Sequence, residues 1–275
     1  NTVSTQYSLP LILSGVYALE KHHIPYIYDY IKNRFKLNTF FFSSQSMKKD
    51  GFDLVFDTSL DTFFCQENSG YKVFNDRGID DFDMQESIFL YLNKINSLKS
   101  SVLNNFKSHF FGVINFNNSH YPYKVSNKLS ENSLHFKYNY EMQNRKIEES
   151  EETKRYDNTI FGIDTWMRSL FTYLETKNLL RNTIVIFTSD HGEAFGEHNH
   201  SGHLQTLYSE DINVPLWFYI PETLRSKTAS ILENVKNNSS HLDLVPTILD
   251  FYGIYNDSLR NQIQGYSLLR NNYKY

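Results

Sequence analysis

Residues 183–215 read TIVIFTSDHGEAFGEHNHSGHLQTLYSEDINVP, and the order of residue types in this stretch predicts both a fold and a site. The first six residues are apolar or β-branched, which is typical of a strand buried on both faces of a parallel sheet. The run stops at Ser189, and Asp190 and His191 follow side by side. In open α/β sheets, ligands bind at the carboxyl ends of the strands. No other stretch concentrates so many groups able to bind metal or move protons, since Glu197, His198, His200 and His203 follow closely.

Length and composition limit the class of protein. A chain of 275 residues can bury a large core, and one α/β domain over residues 1–275 is the simplest division. The net charge of −4 gives no global attraction to nucleic acid, which we do not expect as a partner. The single cysteine, Cys65, excludes an internal disulfide framework. No run reaches the length of a membrane span, and no signal peptide is visible. Because the chain starts at Asn1 without a methionine, we expect it to be part of a longer protein.

Strands alternate with helices along the chain. Predicted strands lie at 39–43, 110–116, 183–188 and 216–220, with a short strand or turn at 51–56, and predicted helices lie at 27–37, 84–105, 156–174 and from 241 onwards. This alternation predicts an α/β fold with a largely parallel central sheet and helices on both faces. A further helix is predicted near the N-terminus, with Ser8 as its N-cap, Pro10 in its first turn and Gly15 weakening or ending it. Hydroxyls therefore cluster where anions are favoured, and they belong to Thr2, Ser4, Thr5 and Ser8. On local sequence alone, however, a simple capping segment is the favoured interpretation, since Ser and Thr are ordinary cap residues.

Asp190 and His191 are the candidate metal ligands. Carboxylate oxygen and imidazole nitrogen suit zinc or manganese, and Gly192 allows the backbone to come close. His120 follows the predicted strand 110–116, and His203 follows the Asp-His pair, so both are candidates for holding an anionic substrate or a second metal. The alternative for each histidine is a structural hydrogen bond. The remaining candidates, His22, His23, His109 and His135, have no supporting context and are interpreted as structural.

The combined motifs resemble the sulfatase-like branch of the alkaline phosphatase superfamily. The segments that carry the resemblance are 189–193 (SDHGE), 196–198 (GEH), 203–210 (HLQTLYSE) and 214–216 (VPL). Further similar segments are 113–116 with 119–123 (SHYPY), 156–164, 241–247 (HLDLVPT) and 264–269 (QGYSLL). The resemblance covers most of the chain and is weakest at 51–106 and 127–152. It implies an alkaline-phosphatase-like sandwich.

The resemblance also points to a nucleophile. Sulfatases resemble one another in a Cys- or Ser-x-Pro-x-Arg motif whose first residue becomes formylglycine, and this motif does not occur in the chain. Residues 5–10 (TQYSLP) instead resemble the Thr-x-x-Ser-Leu-Pro segment of phosphoethanolamine transferases, whose threonine is the nucleophile and a metal ligand. The resemblance implies that Thr5 has this role and shares a divalent metal with Asp190 and His191. It implies zinc first, with manganese, magnesium or calcium as alternatives. His120 and His203 would then bind the phosphoryl group or assist proton transfer.

Two departures from the family pattern shape the expected function. The transferases are rich in disulfides, and they take a further metal carboxylate from a strand upstream of the nucleophile, whereas only four residues precede Thr5. We therefore expect the first strand and any membrane region to lie upstream of Asn1. The implied function is metal-dependent transfer or hydrolysis of a phosphate ester, in which a phospholipid head group such as phosphoethanolamine or phosphoglycerol passes to a surface glycan or lipid.

The implied location is extracytoplasmic, either periplasmic or at the cell surface, with a membrane anchor outside this chain. Two alternatives stay open at this point. One is a sulfate-ester hydrolase, and the other is a non-catalytic, truncated relative that keeps the fold.

Overall fold

The computed structural model describes residues 1–17, 25–35, 37–49, 51–52, 59–97, 109–129, 150–234 and 239–270. In chain order the α-helices are α1 (Thr5–Ser14), α2 (Ile27–Phe35), α3 (Gln66–Ser69), α4 (Asp81–Ser97), α5 (Glu151–Thr176), α6 (Ser209–Ile212), α7 (Ala229–Asn234), α8 (Leu244–Phe251) and α9 (Asp257–Arg260). The strands are β1 (Asn38–Ser43), β2 (Thr62–Phe64), β3 (Phe110–Asn115), β4 (Val185–Thr188), β5 (Ala194–Phe195), β6 (Ser201–Gly202) and β7 (Leu216–Tyr219). Short 3-10 turns cover Leu180–Asn182, Glu197–Asn199, Glu222–Lys227 and His241–Asp243.

The chain divides into two compact units. The first comprises Asn1–Lys36, Leu54–Ser59 and Lys177–Tyr275, and the second comprises Leu37–Asp53 and Leu60–Thr176. The expectation of one catalytic domain over residues 1–275 stays a prediction. Within the described residues, no helix combines the length and the apolar character needed to cross a membrane.

The second unit contains the predicted parallel sheet. Its strand order is β2-β1-β3, and both neighbours run parallel to β1. The TFFF run of β1 is almost completely buried, as expected for a central strand covered on both faces. Helix α4 packs on this sheet, where Tyr91 contacts the rings of Phe40 and Phe42. Helix α5 places the fully buried Trp166 against α4, where its indole N–H donates to the carbonyl of Asp81 at 3.0 Å.

The first unit contains a two-stranded sheet that differs from the prediction. Strand β4 pairs with β7 in the antiparallel direction, and its residues are half-buried rather than buried on both faces. An apolar β-branched run predicts a strand but carries no information on the direction of its partner. One face of the pair packs on Ile231 and Leu268 through Leu216 and Phe218. On β4, the ring of Phe187 stacks on Trp217 with centroids 5.2 Å apart.

Helix α1 begins earlier than predicted. Its N-cap is Ser4 rather than Ser8, so Thr5 is the first helical residue and Pro10 lies in the interior. Ser8 cannot be a cap because it is fully buried and its hydroxyl hydrogen-bonds the hydroxyl of Thr2. The predicted end is confirmed, since Gly15 adopts a left-handed conformation with φ of 69°.

The remaining boundaries shift by a few residues. The helix predicted at 84–105 starts at Asp81 and is described to Ser97, and the helix predicted at 156–174 extends over Glu151–Thr176. Strand β2 was not predicted, and most of the strand or turn expected at 51–56 lies outside the described residues. The helix predicted from 241 onwards forms as a 3-10 turn followed by α8.

Candidate functional site

Helix α1 positions Thr5 at its first turn. Ser4 has extended backbone and makes no side-chain capping hydrogen bond, while Thr2 and Ser8 are occupied with each other. The Thr5 Oγ1 atom lies 3.2 Å from the Nε2 atom of His191. Of the four clustered hydroxyls, Thr5 is thus the one that contacts the Asp-His pair. The N-terminal end of α1 also presents amide N–H groups that have no acceptor within the helix and favour an anion.

The turn after β4 fixes the orientation of His191. Its Nδ1 atom lies 2.8 Å from the carbonyl oxygen of Gly192. Because a carbonyl can only accept, Nδ1 carries the ring proton and Nε2 carries a lone pair in the neutral imidazole. The Thr5 hydroxyl therefore donates to Nε2. The carboxylate of Asp190 approaches the same nitrogen, with Oδ2 at 3.4 Å.

Contacts on two sides hold this turn in place. A Cβ atom on Gly192 would lie 1.9 Å from the carbonyl oxygen of Glu210, so only glycine lets α6 pack this closely. The Gly192 N–H donates to the carbonyl of Asp211 at 2.8 Å. On the other side, the Nε2–H of His241 donates to the carbonyl of Ser189 at 2.8 Å. Burial lowers the pKa of His241 to about 4, although the hydrogen bond to Ser189 opposes this shift, so the ring is neutral.

His203 lies beside His191, with ring centroids 4.0 Å apart. Its Nδ1 atom is 2.9 Å from Oε1 of Glu193, and both side chains are largely buried. A second histidine–carboxylate contact joins the 3-10 turn after β5 to α6, where Nδ1 of His198 is 2.6 Å from Oε1 of Glu210. The His198 side chain is 52% exposed, so this contact lies at the surface.

The geometry around Thr5 fits a divalent metal. The Oδ2 atom of Asp190 is buried, yet it takes part in no hydrogen bond with the described residues. The 3.2 and 3.4 Å separations measured from His191 Nε2 are close to the ~3.3 Å expected between ligands of a tetrahedral metal with bonds of about 2.0–2.1 Å. Across the described ranges, no three His, Cys, Asp or Glu side chains form a group that could hold a metal ion. The side chains that converge there are one carboxylate, one imidazole and one hydroxyl, from Asp190, His191 and Thr5.

The structure thus brings four predicted site residues together in the first unit. They are Thr5, Asp190, His191 and His203. His120 belongs to the second unit, where its Nδ1–H donates to the carbonyl of Tyr121 at 2.8 Å. The expectation that His120 and His203 bind the phosphoryl group or assist proton transfer stays a prediction, as do the roles of the other three residues. Among the histidines interpreted as structural, His22, His23 and His135 lie outside the described residues.

Sequence reasoning missed Glu193 and the contact made by His241. A short hairpin could have pointed to Glu193. It pairs Ala194 with Gly202, so the residues just before Ala194 and just after Gly202, Glu193 and His203, come together. His241 gave no such signal, since its partner Ser189 lies 52 residues away in the chain.

Comparison with known proteins identifies related chains. Residues 1–254 match the model of the sulfatase family. The chain is 26% identical over 170 residues to an endo-4-O-sulfatase of Bacteroides thetaiotaomicron, a match that covers 58% of this chain and 32% of that protein. The chain thus spans about a third or less of the first curated relatives it matches.

Two solved structures share the fold. One is the C-terminal periplasmic domain of phosphoethanolamine transferase EptC from Campylobacter jejuni, with a TM-score of 0.68, 17% identity, and coverage of 99% of this chain and 80% of that chain. The other is the corresponding domain of EptC from Escherichia coli in complex with Zn, with a TM-score of 0.66, 16% identity, and coverage of 100% of this chain and 74% of that chain. Together with the sulfatase match, this likeness confirms the predicted alkaline-phosphatase-like α/β fold.

Proposed function

The chain belongs to the sulfatase family, and from this premise we propose that it transfers or hydrolyses a phosphate ester with Thr5 as the nucleophile. The observation that carries the proposal is the 3.2 Å contact between Thr5 Oγ1 and His191 Nε2 at the N-terminal end of α1. A nucleophilic hydroxyl needs a neighbouring group that takes its proton or lowers its pKa, and Thr5 has such a neighbour. Ser8, by contrast, is fully buried and bonded to Thr2.

The same region argues against a formylglycine-dependent sulfatase. Residues 8–12 read SLPLI, so Ile12 stands where the Ser-x-Pro-x-Arg motif requires arginine. Ser8 would be the modified residue of that motif, but its side chain has no access to solvent. A sulfate-ester hydrolase remains the second candidate, because the curated relatives with 26–33% identity are named sulfatases.

Thr5, Asp190 and His191 are the residues that would hold a divalent metal, with zinc as the first candidate. When bound, such an ion lowers the pKa of a coordinated hydroxyl and neutralises charge on phosphoryl oxygens. The residues supply the rest of the reaction. Thr5 Oγ1 forms a bond to phosphorus while the bond from phosphorus to the donor alcohol breaks, and the proton lost by Thr5 balances the proton gained by the departing alcohol. The phosphoryl oxygens accept from backbone N–H groups at the start of α1 that precede Tyr7, since those of Tyr7 and Ser8 donate to the Ser4 carbonyl.

The second half of the reaction reverses the first. An acceptor hydroxyl forms the new bond to phosphorus, the bond to Thr5 Oγ1 breaks, and Thr5 regains a proton. Transfer results when the acceptor is a glycan or lipid, and hydrolysis results when it is water. We assign His203 to the phosphoryl group or to proton transfer, and the role of His120 stays a prediction. The placement of His203 beside His191 supports its assignment.

We further infer a phospholipid head-group donor, such as phosphoethanolamine or phosphoglycerol, and an extracytoplasmic location with a membrane anchor outside this chain. The support is the fold shared with periplasmic domains of phosphoethanolamine transferases.

Intact-mass spectrometry tests the nucleophile directly. After incubation with a phosphatidylethanolamine donor, the protein should gain a covalent phosphoethanolamine adduct that peptide mapping places on Thr5. Thr5→Ala should abolish the adduct and lower turnover of an aryl phosphodiester by several orders of magnitude, while Thr5→Ser should retain part of it. Ser4→Ala is the matched control, because the Ser4 side chain makes no capping bond. An adduct on Thr2 or Ser4, or turnover of an aryl sulfate in place of the phosphodiester, would contradict the proposal.

A further inference from the structure

A small hairpin places Glu193 opposite His203. Strands β5 and β6 pair antiparallel, with Ala194 opposite Gly202, so the residues just outside this pair face each other at the open end of the hairpin. Glu193 Oε1 and His203 Nδ1 are 2.9 Å apart. Gly202 has φ of +82°, a conformation that L side chains rarely adopt, and this backbone turn directs the following residue towards Glu193.

The contact decides which nitrogen of His203 carries the proton. An ionised carboxylate can only accept, so Nδ1 must donate and keeps its hydrogen in the neutral ring. Nε2 then carries the lone pair of the neutral ring, so it is the nitrogen able to accept a proton. Because the side chains of Glu193 and His203 are only 9% and 16% exposed, water competes poorly with this hydrogen bond. The ring also lies against His191, which further restricts its orientation.

We propose that Glu193 is a positioning residue that holds His203 in the Nδ1–H tautomer, so that Nε2 takes the proton of the acceptor hydroxyl. The inference rests on the proposed function and assigns the proton acceptor of its second step. As the acceptor oxygen bonds to phosphorus and the bond to Thr5 Oγ1 breaks, the acceptor proton moves to His203 Nε2. The imidazolium then releases one proton as Thr5 Oγ1 gains one, and both side chains return to their starting state.

A second histidine–carboxylate contact in the chain serves as a matched control. It distinguishes a specific effect of Glu193 on His203 from a general effect of removing a carboxylate that pairs with a histidine. His198, in the 3-10 turn after β5, and Glu210, in α6, make the same type of hydrogen bond, at 2.6 Å. However, His198 is half exposed and its ring stacks on Tyr208 rather than on His191. Removal of the Glu210 carboxylate therefore changes a histidine–carboxylate pair of the same chemistry without touching His203.

The test combines a tautomer measurement with kinetics. In metal-free, ¹⁵N-histidine-labelled protein, NMR should show His203 protonated at Nδ1. In Glu193→Ala the ring should shift towards the Nε2–H form, and kcat for transfer to an alcohol acceptor should fall about 10–100-fold, with KM within about twofold. Glu193→Gln keeps an acceptor oxygen and the side-chain volume, so it should retain the tautomer and recover part of kcat. Glu210→Gln should leave both readouts of His203 unchanged.

Two results would overturn the inference. One is an unchanged His203 tautomer in a folded Glu193→Ala protein, with Glu193→Gln as the second variant if the alanine variant does not fold. The other is an equal fall in kcat in Glu210→Gln. Failure of the proposed function gives a different pattern. Wild-type protein would then turn over no phosphodiester, so there would be no transfer reaction in which His203 could accept a proton. The tautomer shift in Glu193→Ala would still establish that Glu193 positions His203.

Discussion

His241 is buried one hydrogen bond away from the site, and burial decides its charge. Its pKa of about 4 lies below the ordinary value of 6.5, so between these pH values the unfolded chain binds a proton that the folded chain does not. Above about pH 6.5 the titration of His241 therefore does not change the free energy of unfolding, and below that value this free energy falls as the pH drops towards 4. The full shift corresponds to about 3 kcal/mol of unfolding free energy.

Urea unfolding at pH 7 and at pH 4.5 measures this effect. We expect His241→Gln to lose less stability between the two pH values than wild type, because glutamine cannot take up the proton. Glutamine can still donate to the Ser189 carbonyl, so the variant should fold. An identical loss in both proteins would assign the acid sensitivity to other groups.

At the level of single residues, a functional role could be predicted where it follows from the chemistry of the residue's own side chain. Asp190 and His191 were singled out because a carboxylate and an imidazole suit a divalent metal. Thr5 was chosen from four clustered hydroxyls by the resemblance to phosphoethanolamine transferases, and the structure places it within 3.2 Å of His191. The supporting residues were not predictable in the same way. Glu193 and His241 act through the orientation of other side chains, and that orientation exists only after β5, β6 and the 3-10 turn have folded.

The element that limits the site most tightly is α6, which packs on the turn after β4. In Gly192→Ala, the new Cβ would meet the Glu210 carbonyl at 1.9 Å, and backbone must move to relieve the clash. We expect a loss of about 1–3 kcal/mol in unfolding free energy and faster hydrogen exchange at residues 209–213. Turnover should fall as well, since the Asp190–His191 turn shifts with its neighbour.

Gly162→Ala is the matched control within helix α5. There the new Cβ would approach side-chain atoms alone, the end of Leu129 at 3.2 Å and the ring of Phe82 at 3.9 Å, and alanine favours a helix interior by up to about 1 kcal/mol over glycine. Stability equal to or above wild type is the expected result. If Gly192→Ala behaved like this control, the close packing of α6 would have no energetic consequence.

Element boundaries show where periodicity stops being informative. Strand β1 and helix α4 follow from apolar spacing; β1 forms within one residue of its predicted limits, and α4 starts three residues before its predicted start, while its predicted end lies outside the described residues. The start of α1 was misassigned because Ser8 has the ideal residue type for a cap, whereas its burial against Thr2 depends on tertiary packing. The direction of β4 was likewise undetermined, since pairing with β7 depends on how the chain returns after α6.

For the whole molecule, the order of strands and helices was sufficient to predict the α/β class, and the motif spacing was sufficient to predict the family. The division into two compact units was not predictable, because the first unit is assembled from segments at both ends of the chain. Composition and periodicity describe local segments and carry no information on such long-range assembly.

A metal that binds only the folded chain should stabilise the molecule as a whole. Zinc at 100 times its dissociation constant adds about 2.7 kcal/mol to the unfolding free energy, so the midpoint of thermal unfolding should rise with zinc and fall again with a chelator. Asp190→Ala should abolish the rise, because it removes a charged ligand whose Oδ2 is buried and takes part in no hydrogen bond with the described residues. Thr5→Ala should keep part of it, since a neutral hydroxyl is the weaker ligand.

His198→Gln controls for zinc bound by surface histidines, because His198 is 52% exposed and contacts Glu210 rather than the site. A rise that persists in Asp190→Ala but disappears in His198→Gln would place the zinc at the surface and remove the metal from the proposed reaction.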